Sequence, residues 1–510
     1  MSAARRLAVL VGALLSFRIA SAFVVFQPGY TDAYYYADVA KRLAAGQGLT
    51  ADFIWNFLEY PVALGDLPVA SHRFWMPLAT VVQAIGIKGL PFLDAFHAAQ
   101  VVEILVACAI PVVAYLAARS LGASPNASLV AAALAGLGGA FAPGWVSLDA
   151  FAPAAVLGAV FFLTYPRAAS GEVRAGIIAG FAVGLLFLAR AEGALFGLAL
   201  LWLMRSPVSR RAGLTGSAVA LVIGIAWLVR DLGLPPAPDV FGRSALLVRY
   251  EDFFAVDSSA GIMDLPAVSW DQFTFALPGV LAAKVAALGT NAVTFLFAFG
   301  LLLVPGIARA IWSLHPRPEV RAFATLAVLV YLVESLVFTL HSTRGSYFHS
   351  LAAFFPYGVA VGVIGTAQLL RSVEARRLAA VGGIVGAVVV SSFALAQWDS
   401  SFNPPYRERV AVAARIPPGR LVAIDAAAWR WITDRPVVVM PSNPDECTIG
   451  RAAELDVTTL VLEPVHFSRY DPLYRGGPSP AYLGAPVRID DVRLYPLDAR
   501  AAERSCRSRL

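Results

Sequence analysis

Apolar segments separated by short polar ones recur along the chain as far as residue 398. Since roughly 20 apolar residues cross a bilayer as a helix, this pattern predicts eleven membrane-spanning helices, with a further short or re-entrant span at residues 76–91. No small-residue cleavage site follows the first span, so we expect it to be retained rather than removed as a signal peptide. The predicted spans are residues 7–26, 97–118, 126–143, 150–166, 175–190, 192–205, 212–231, 291–312, 320–340, 350–370 and 378–397.

Composition agrees with this pattern. Of the 510 residues, 58% are hydrophobic and 15% are charged, which indicates a polytopic membrane protein rather than a soluble one. The net charge of +6 would suggest a nucleic-acid partner in a soluble chain. Here the arginines occur in short clusters between apolar segments, so we expect no nucleic-acid partner.

The arginines between the predicted spans fall on one face of the bilayer, which is cytoplasmic by the positive-inside rule. The opposite, extracytoplasmic face then receives two large outer loops, residues 27–96 and 232–290, and the region 399–510. We expect an integral protein of a bacterial inner or plasma membrane, with a transmembrane domain at residues 1–398 and a cytoplasmic N terminus. The arginines that set this orientation are Arg5, Arg6, Arg119, Arg167, Arg174, Arg205, Arg210, Arg211, Arg309, Arg317, Arg321, Arg371, Arg376 and Arg377.

Residues 399–510 differ in composition from the rest of the chain. The pairs Pro404-Pro405 and Pro417-Pro418 indicate a linker, after which strand-like and helix-like segments alternate. Such alternation is typical of a small α/β domain with a largely parallel sheet. It contains no glycine-rich phosphate fingerprint, so we expect a lid or scaffold without a cofactor. The predicted strands are residues 420–424, 436–440, 457–462 and 487–495, and the predicted helices are residues 425–433 and 444–454.

The cysteines and histidines suggest little metal chemistry. Cys108 lies in a span and is expected to act as a small apolar residue. Cys447 and Cys506 lie in the extracytoplasmic region, but their spacing leaves open whether they form a disulfide. No group of histidines and cysteines has zinc spacing, so we expect no dedicated metal site, while a divalent metal in general stays open.

An acidic and aromatic stretch, Tyr-Thr-Asp-Ala-Tyr-Tyr-Tyr at residues 30–36, follows the first span. Residues 33–44 have apolar side chains at helical spacing and predict an amphipathic helix at the membrane surface. Asp32 lies where that helix starts, as a cap for the amides of the first turn or as a catalytic carboxylate. Tyr35 and Tyr36 can stack on a sugar ring or anchor the loop in the interface.

Polar residues at the outer ends of other spans add candidates. Asp149 ends the turn at residues 144–149. Arg190 and Glu192 either pair with each other at the surface or place an arginine where its planar fork can bind phosphate. The segment 341–349 has more hydrogen-bond donors than a connecting loop needs, which favours a functional role. Its candidates are His341, Arg344, Tyr347 and His349.

Two of these stretches also resemble a known family. Residues 187–193, Phe-Leu-Ala-Arg-Ala-Glu-Gly, contain an Arg-x-Glu-Gly segment, and residues 344–356 run from an arginine to a proline. With the Asp32 motif at the start of a large outer loop, the order of spans and the α/β tail, they resemble the GT-C glycosyltransferases that use polyprenyl-phosphate sugars. The resemblance is to members close to the protein mannosyltransferase and aminoarabinose transferase branch, and it covers most of the chain.

The resemblance implies an inverting glycosyltransferase with a GT-C-like membrane domain. In such enzymes an acceptor hydroxyl loses a proton as it attacks the anomeric carbon, while negative charge grows on the departing lipid phosphate. Asp32 suits the first task, and Arg190, Arg344 and His349 suit the second. The other residues that we expect to contact a substrate are Tyr35, Tyr36, Asp149, Glu192, His341 and Tyr347.

The first loop departs from the family, which often has an acidic pair where this chain has Asp32 followed by Ala33. A second carboxylate or metal ligand would have to come from elsewhere in the loop. The candidates for that role are Asp38, Asp52, Glu59 and Asp66.

Two functions outside enzyme catalysis also stay open. A flippase or transporter of lipid-linked sugars would show inverted repeats or broken spans at matching positions in two halves, and the sequence shows no such pairing. A non-catalytic partner in envelope assembly would use the outer loops as binding surfaces. For the enzyme, the expected partners are a polyprenyl-phosphate sugar, the lipid bilayer and an acceptor that is a protein, a lipid or a glycan.

Overall fold

The computed structural model of the chain describes residues 2–57, 67–234, 247, 250, 254 and 270–508. The chain divides into two compact units. The first unit consists of Met1–Pro28, Trp75–Gly233 and Ala286–Ser401, and the second of Gly29–Phe74, Leu234–Val285 and Phe402–Leu510. The sequence places residues 29–74 with the membrane domain, whereas they belong to the same unit as the C-terminal region.

The chain is a polytopic α-helical membrane protein, as predicted. Six helices in its described part are long and apolar enough to cross a bilayer, and four shorter helices are also apolar; how many of these cross it stays a prediction. The six are Ala95–Ser120, Phe151–Ala169, Arg210–Leu232, Leu277–Phe299, Thr339–Leu369 and Val373–Ala413. The four are Leu78–Gly89, Pro125–Leu137, Val173–Ala189 and Ala191–Leu203.

The first unit is helical where it is described. Most predicted spans have a helix at their position, including the short one at residues 76–91. The helices that lie wholly in this unit are Ala3–Ala22, Leu78–Gly89, Ala95–Ala107, Ala109–Ser120, Pro125–Leu137, Phe151–Ala169, Val173–Ala189, Gly197–Leu203, Arg210–Leu232, Val304–Leu314, Pro318–Leu336, Thr339–His341, Tyr347–Leu351 and Phe355–Leu369.

One predicted loop and one predicted span are wrong in their limits. The sequence predicts a loop at residues 232–290 and a span at 291–312, but the structure has a helix at Trp270–Phe299 and another at Val304–Leu314. Gly300, between them, has a φ of +74°. This left-handed conformation ends the first helix inside the predicted span, because only glycine adopts it at little cost.

The proline pair at residues 404–405 does not start a linker as predicted. The helix Val373–Ala413 continues through both prolines, although each lacks an amide donor and disfavours a helical conformation in the residue before it. Trp398 and Asn403 on this helix are 5% and 0% exposed. Burial of this face stabilises the helix where local preference alone favours a break.

Close helix contact fixes the helix that leads to Arg190. Val173–Ala189 packs along Arg210–Leu232, and a Cβ atom at Gly180 would lie 2.2 Å from the carbonyl oxygen of Gly216. Small residues allow membrane helices to approach this closely, so that dispersion contacts between backbones hold them together. The position of this helix against Arg210–Leu232 is therefore set by close packing.

The second unit contains a mixed sheet of six strands. Its strand order is β2-β5-β4-β6-β8-β7; the neighbours from β2 to β6 are parallel, and β8 and β7 are antiparallel additions. β1 and β3 form a separate antiparallel pair. The strands are β1 (Thr50–Ala51), β2 (Phe53–Ile54), β3 (Val69–Ala70), β4 (Arg420–Ala423), β5 (Val437–Val439), β6 (Val457–Leu462), β7 (Val487–Ile489) and β8 (Val492–Pro496).

Each predicted tail strand has a counterpart in this sheet, and the predicted strand 487–495 is a hairpin of two strands. The helices lie at Thr31–Ala44, Ala426–Thr433, Glu446–Gly450, Asp471–Tyr474 and Ala499–Arg507.

A strand from the first long loop completes the edge of the sheet. Phe53 of β2 lies opposite Val437 of β5, and Phe53 and Ile54 are both fully buried. Two residues are too short a run to be recognised as a strand from sequence. Their backbone pairing explains why residues 29–74 belong to this unit.

A disulfide joins two helices at the end of the second unit. Cys447 lies on the helix Glu446–Gly450 and is bonded to Cys506 on the helix Ala499–Arg507. This settles the pairing that the sequence leaves open. Disulfides persist in oxidising compartments, so the bond agrees with the predicted extracytoplasmic location of this region.

An ion network connects the helix Thr31–Ala44 to the helix Ala426–Thr433. Arg430 Nη1 lies 2.9 Å from Asp434 Oδ1, Arg430 Nη2 lies 3.3 Å from Asp52 Oδ2, and Arg430 Nε lies 3.7 Å from Asp38 Oδ2. Asp38 is fully buried, and Asp52 is also paired with Arg42. One guanidinium therefore serves carboxylates from three segments of the unit.

The orientation in the membrane leads to a first prediction. In a Cys108→Ser background, Val465→Cys should react with a membrane-impermeant thiol reagent applied to intact cells, because Val465 is 74% exposed and is expected to be extracytoplasmic. Arg377→Cys, exposed but on the predicted cytoplasmic side, should react only after lysis. The reverse labelling pattern would invert the predicted topology.

The ion network leads to a second prediction. Burial raises the pKa of Asp38 above its usual value, and Arg430 opposes that rise. The carboxyl group of Asp38 therefore binds its proton more tightly in the folded chain than in the unfolded chain. The usual pKa of an unfolded aspartate is about 4, so the contribution of Asp38 to stability falls as pH rises above that value. Asp38→Asn should remove this fall and leave the thermal midpoint at neutral pH unchanged or higher.

Arg430→Met should instead destabilise the unit by roughly 3 kcal/mol or more, because it leaves a buried carboxylate without its ion-pair partner. Thermal midpoints of the two purified variants, measured at acidic and neutral pH, check both statements. A greater loss at neutral pH in Asp38→Asn than in Arg430→Met would contradict the pairing.

Candidate functional site

A break between two helices positions Arg190. The helix Val173–Ala189 ends there, Arg190 itself is extended with a φ of −155° and a ψ of 134°, and a tight helical turn follows at Ala191–Phe196. A Cβ atom at Gly193 would lie 2.5 Å from the backbone carbonyl of Leu186. The glycine of the Arg-x-Glu-Gly segment is therefore needed for the chain to turn back on the helix that it has just left.

A second break between helices lies in the donor-rich segment 341–349. Residues Ser342–Ser346 form a kink between two α-helical stretches, and Gly345 at this kink has a left-handed φ of +118°. Glycine adopts this conformation at little cost, so the helix can change direction here. Ser346 and Ser350 are four residues apart, so both side chains project from one side of the continuing helix.

The two breaks are joined by hydrogen bonds from Arg190. Its Nε donates to Glu192 Oε1, and its Nη2 donates to Ser346 Oγ at 3.0 Å and to the Ser346 carbonyl oxygen at 3.4 Å. The arginine therefore pairs with Glu192, as one reading of the sequence expected. The pair is only 12% and 17% exposed, so it is not a surface contact.

Glu334 supports the same cluster from a third helix, Pro318–Leu336. Its Oε1 accepts from Ser346 Oγ at 3.1 Å and from Ser350 Oγ at 2.8 Å. Ser350 Oγ is also bonded to Glu192 Oε1. Since a hydroxyl carries one proton, Ser350 donates to one of the two carboxylates at a time.

Sequence reasoning placed Arg190 and Glu192 in the site but missed Ser346, Ser350 and the contacts of Glu334. Glu334 lies within the predicted span at residues 320–340. A carboxylate inside a predicted span was a signal that this position has a function or a specific partner. The two serines gave no comparable signal, because a lone hydroxyl is common on membrane helices.

Asp149 and His349 form a second pair in the first unit. Asp149 is fully buried, and its Oδ2 lies 3.5 Å from His349 Nδ1. The amide of Ala150 donates to Asp149 Oδ1, which fixes the carboxylate at the start of the helix Phe151–Ala169. His349 also lies within electrostatic range of Arg190 and Glu192, so the pair and the cluster belong to one polar region.

Aromatic contacts and one glutamine hold this polar region in place. The Phe348 ring stacks on Phe141 with a centroid distance of 4.3 Å, and the His349 ring contacts Phe151 at 4.2 Å. Gln100 Nε2 donates to the carbonyl oxygens of Val25 and Val146 at 2.7 and 3.0 Å. These bonds anchor the turn that ends at Asp149.

Asp32 lies in the second unit and is not the cap of its helix. The N-cap of Thr31–Ala44 is Tyr30, whose side chain makes no capping bond, and Asp32 is the second helical residue and half-buried. The capping interpretation is therefore wrong, since the helix begins at Thr31, two residues earlier than a cap at Asp32 requires. A carboxylate in the first turn still favours the helix through the dipole, and a catalytic role stays a prediction.

The other predicted contacts occupy different environments. Arg344 is exposed beside the kink at Gly345, and His341 is half-buried. Tyr347 is 2% exposed and packs against Tyr331.

Tyr35 and Tyr36 are buried against each other and His72, and the Tyr35 hydroxyl accepts a hydrogen bond from the His72 amide. Substrate contact by any of them stays a prediction.

The candidates for a second carboxylate fall into two groups. Asp38 and Asp52 both pair with Arg430 in the ion network of the second unit. Glu59 and Asp66 lie outside the described residues.

The likeness of this chain to known proteins is structural. No protein-family model and no curated protein matches the sequence. ArnT from Cupriavidus metallidurans bound to undecaprenyl phosphate has a TM-score of 0.56 at 14% identity, over 97% of this chain and 98% of that one. The apo oligosaccharyltransferase of Archaeoglobus fulgidus has a TM-score of 0.55 at 12% identity, over 90% of this chain and 69% of that one.

A further Archaeoglobus fulgidus structure, AglB in complex with an inhibitory peptide and a dolichol-phosphate, has a TM-score of 0.53 at 14% identity over 88% of this chain and 69% of that one. These neighbours are glycosyltransferases of the GT-C superfamily. The chain has the GT-C fold. This confirms the resemblance at the level of fold, while the branch within the GT-C superfamily stays a prediction.

The kink at Gly345 leads to a third prediction. An alanine at Gly345 would have open space around its Cβ atom, but it would have to adopt a φ near +118°. We expect Gly345→Ala to cost roughly 1–3 kcal/mol, because backbone strain is the only penalty. The thermal midpoint of the purified variant measures this cost.

Gly289→Ala is the matched control. Gly289 also has open space around its Cβ position but lies within the regular helix Trp270–Phe299. Alanine there should be neutral or stabilising by about 0.5–1 kcal/mol. Equal midpoints for the two variants would contradict the strained conformation of Gly345.

Proposed function

We propose that this protein is an inverting glycosyltransferase that moves a sugar from a polyprenyl-phosphate donor to an acceptor hydroxyl at the outer face of the membrane. The observation that carries the proposal is Arg190, held by Glu192 and Ser346 at the break between two helices. A guanidinium fixed in this way holds its positive charge at one place, where it can stabilise the negative charge of a phosphate.

The structural neighbours support the choice of a lipid phosphate. One GT-C neighbour is bound to undecaprenyl phosphate, and its likeness extends over 97% of this chain. Another is in complex with a dolichol-phosphate and a peptide. A polyprenyl phosphate keeps its chain in the bilayer and presents its headgroup at the surface, where a site among the ends of membrane helices can reach it.

The proposed reaction makes one bond and breaks one bond at the anomeric carbon. The acceptor oxygen forms a bond to that carbon from the face opposite the phosphate, and the bond between the carbon and the phosphate oxygen breaks. Its electron pair stays on the oxygen, so the products are a glycosylated acceptor and a polyprenyl phosphate. The acceptor proton passes to a carboxylate and then to water.

The roles follow from this chemistry. Arg190 neutralises the charge that grows on the departing phosphate, with Arg344 and His349 as further ligands. Asp32 keeps the proposed role of the base, and Asp149 would orient His349 through their contact. No metal enters this reaction as proposed. The acceptor can be a protein, a lipid or a glycan.

Substitution of Arg190 is the fourth prediction and tests the proposal. Lysine keeps the charge but loses the planar fork, so Arg190→Lys should weaken binding of undecaprenyl phosphate about tenfold. Arg190→Ala also loses the charge-assisted hydrogen bonds and should weaken binding and donor turnover by roughly 100-fold. Titration of the purified protein in detergent, with release of polyprenyl phosphate as the activity readout, measures both.

Arg167→Ala provides a matched control. Arg167 also forms an ion pair with a glutamate, through Nε and Nη2 at 2.8 and 2.9 Å from Glu172, but the two side chains are 67% and 37% exposed. Its loss should leave binding and turnover unchanged. Normal lipid-phosphate binding and turnover by a folded Arg190→Ala variant would place the donor site elsewhere.

A further inference from the structure

The helix that carries Asp32 is held at its first turn by residues from the C-terminal region of the same unit. The Thr31 hydroxyl donates a hydrogen bond to the carboxylate of Asp425. Asp425 also accepts from the amide of Ala428 and caps the helix Ala426–Thr433. One carboxylate therefore links the starts of two helices, one of which begins next to Asp32.

Arg409 forms an ion pair with the carboxylate of Asp425. Its Nη1 lies 3.3 Å from Asp425 Oδ2, and its Nε and Nη2 donate to the two carboxylate oxygens of Glu463 at 2.6 and 3.3 Å. Trp429 Nε1 donates to Glu463 Oε2 at 3.0 Å. The three charged side chains are at most 15% exposed, so solvent screens the network little.

Tyr34, three residues after Thr31 on the same helix, lies close to the same network. It is 1% exposed, its hydroxyl accepts a hydrogen bond from the Gly29 amide, and it lies within electrostatic range of Arg409 and Asp425. Thr31 and Tyr34 are three residues apart and project from the same side of the helix. Asp32 lies between them in sequence, so its backbone is held on both sides.

The opposite end of the helix is held by different residues. Lys41 Nζ lies 3.5 Å from Asp434 Oδ1, and the two side chains are 33% and 73% exposed. An exposed pair of this kind contributes little. The first and last turns of one helix can thus be perturbed separately.

We propose that Asp425 and Arg409 are positioning residues, which orient Asp32 by fixing the first turn of its helix through Thr31 and Tyr34. The proposal rests on the proposed role of Asp32 as the base. It gives the C-terminal region a specific part in proton transfer, because a base contributes only when its carboxylate meets the acceptor proton in the correct geometry.

Removal of the Thr31 hydroxyl is the fifth prediction. Thr31→Val keeps the shape of the side chain but loses the bond to Asp425, and it should lower kcat about tenfold while the KM for donor stays within about twofold. Thr31→Ser keeps the hydroxyl and should retain nearly full kcat. Steady-state kinetics with released polyprenyl phosphate as the readout separate the two constants.

Two more variants complete the experiment, one as a second test and one as a control. Asp425→Asn keeps the helix cap, since asparagine caps as well as aspartate, but it loses the charge that pairs with Arg409; it should lower kcat in the same way. Lys41→Met, at the other end of the helix, should leave both constants unchanged. Thermal midpoints of all variants identify any that lose activity through unfolding.

Asp32→Asn separates this proposal from the proposed function. It should fold, bind donor and lose turnover by about 100-fold, the scale of a positioned general base. If it does so while Thr31→Val and Asp425→Asn keep a normal kcat, the positioning role is overturned and the glycosyltransferase stands. A fully active Asp32→Asn variant would overturn both the base and its positioning.

Discussion

A guanidinium buried among membrane helices needs partners, and the polar region of the first unit is built around this requirement. Removing a charge from water costs several kcal/mol unless an opposite charge and hydrogen bonds replace the hydration. Arg190 obtains them from Glu192 and from Ser346, and Glu334 holds Ser346 in turn. Both helices must break to bring these groups together, at Arg190 and at Gly345. The strained turn and the tight glycine at position 193 follow from that need.

The second unit also contains buried charges, and it pairs them within ion networks. It places a carboxylate, Asp32, at the start of a helix, and it holds that helix by buried ion networks centred on Arg409 and Arg430. Each network uses one arginine to serve several carboxylates; Asp425 and Glu463 both depend on Arg409, and the buried Asp38 depends on Arg430. A sheet that includes a strand from the first loop makes the unit one body.

The sequence predicted what local patterns encode. Long apolar runs located most of the helices, and alternating short runs located the strands of the C-terminal region, because hydrophobic period and length depend on neighbouring residues. Features that depend on tertiary contact were missed. The helix through Pro404 is held by buried neighbours, β2 exists only because β5 lies beside it, and the bonds of Ser346 and Ser350 to Glu334 join residues whose roles no short motif reveals. Arg190 and Glu192 were found because they lie in one short segment.

Transfer of the sugar away from its lipid is the central claim, and one measurement distinguishes it most directly from movement of the lipid. The purified protein is reconstituted in liposomes with a panel of polyprenyl-phosphate sugars and a cell-envelope extract as the source of acceptor. Mass spectrometry then measures intact donor and free polyprenyl phosphate in each leaflet. The glycosyltransferase predicts that polyprenyl phosphate accumulates as one donor disappears, and that Arg190→Ala stops this. Donor that crosses between leaflets with its sugar still attached, without release of polyprenyl phosphate, would contradict it.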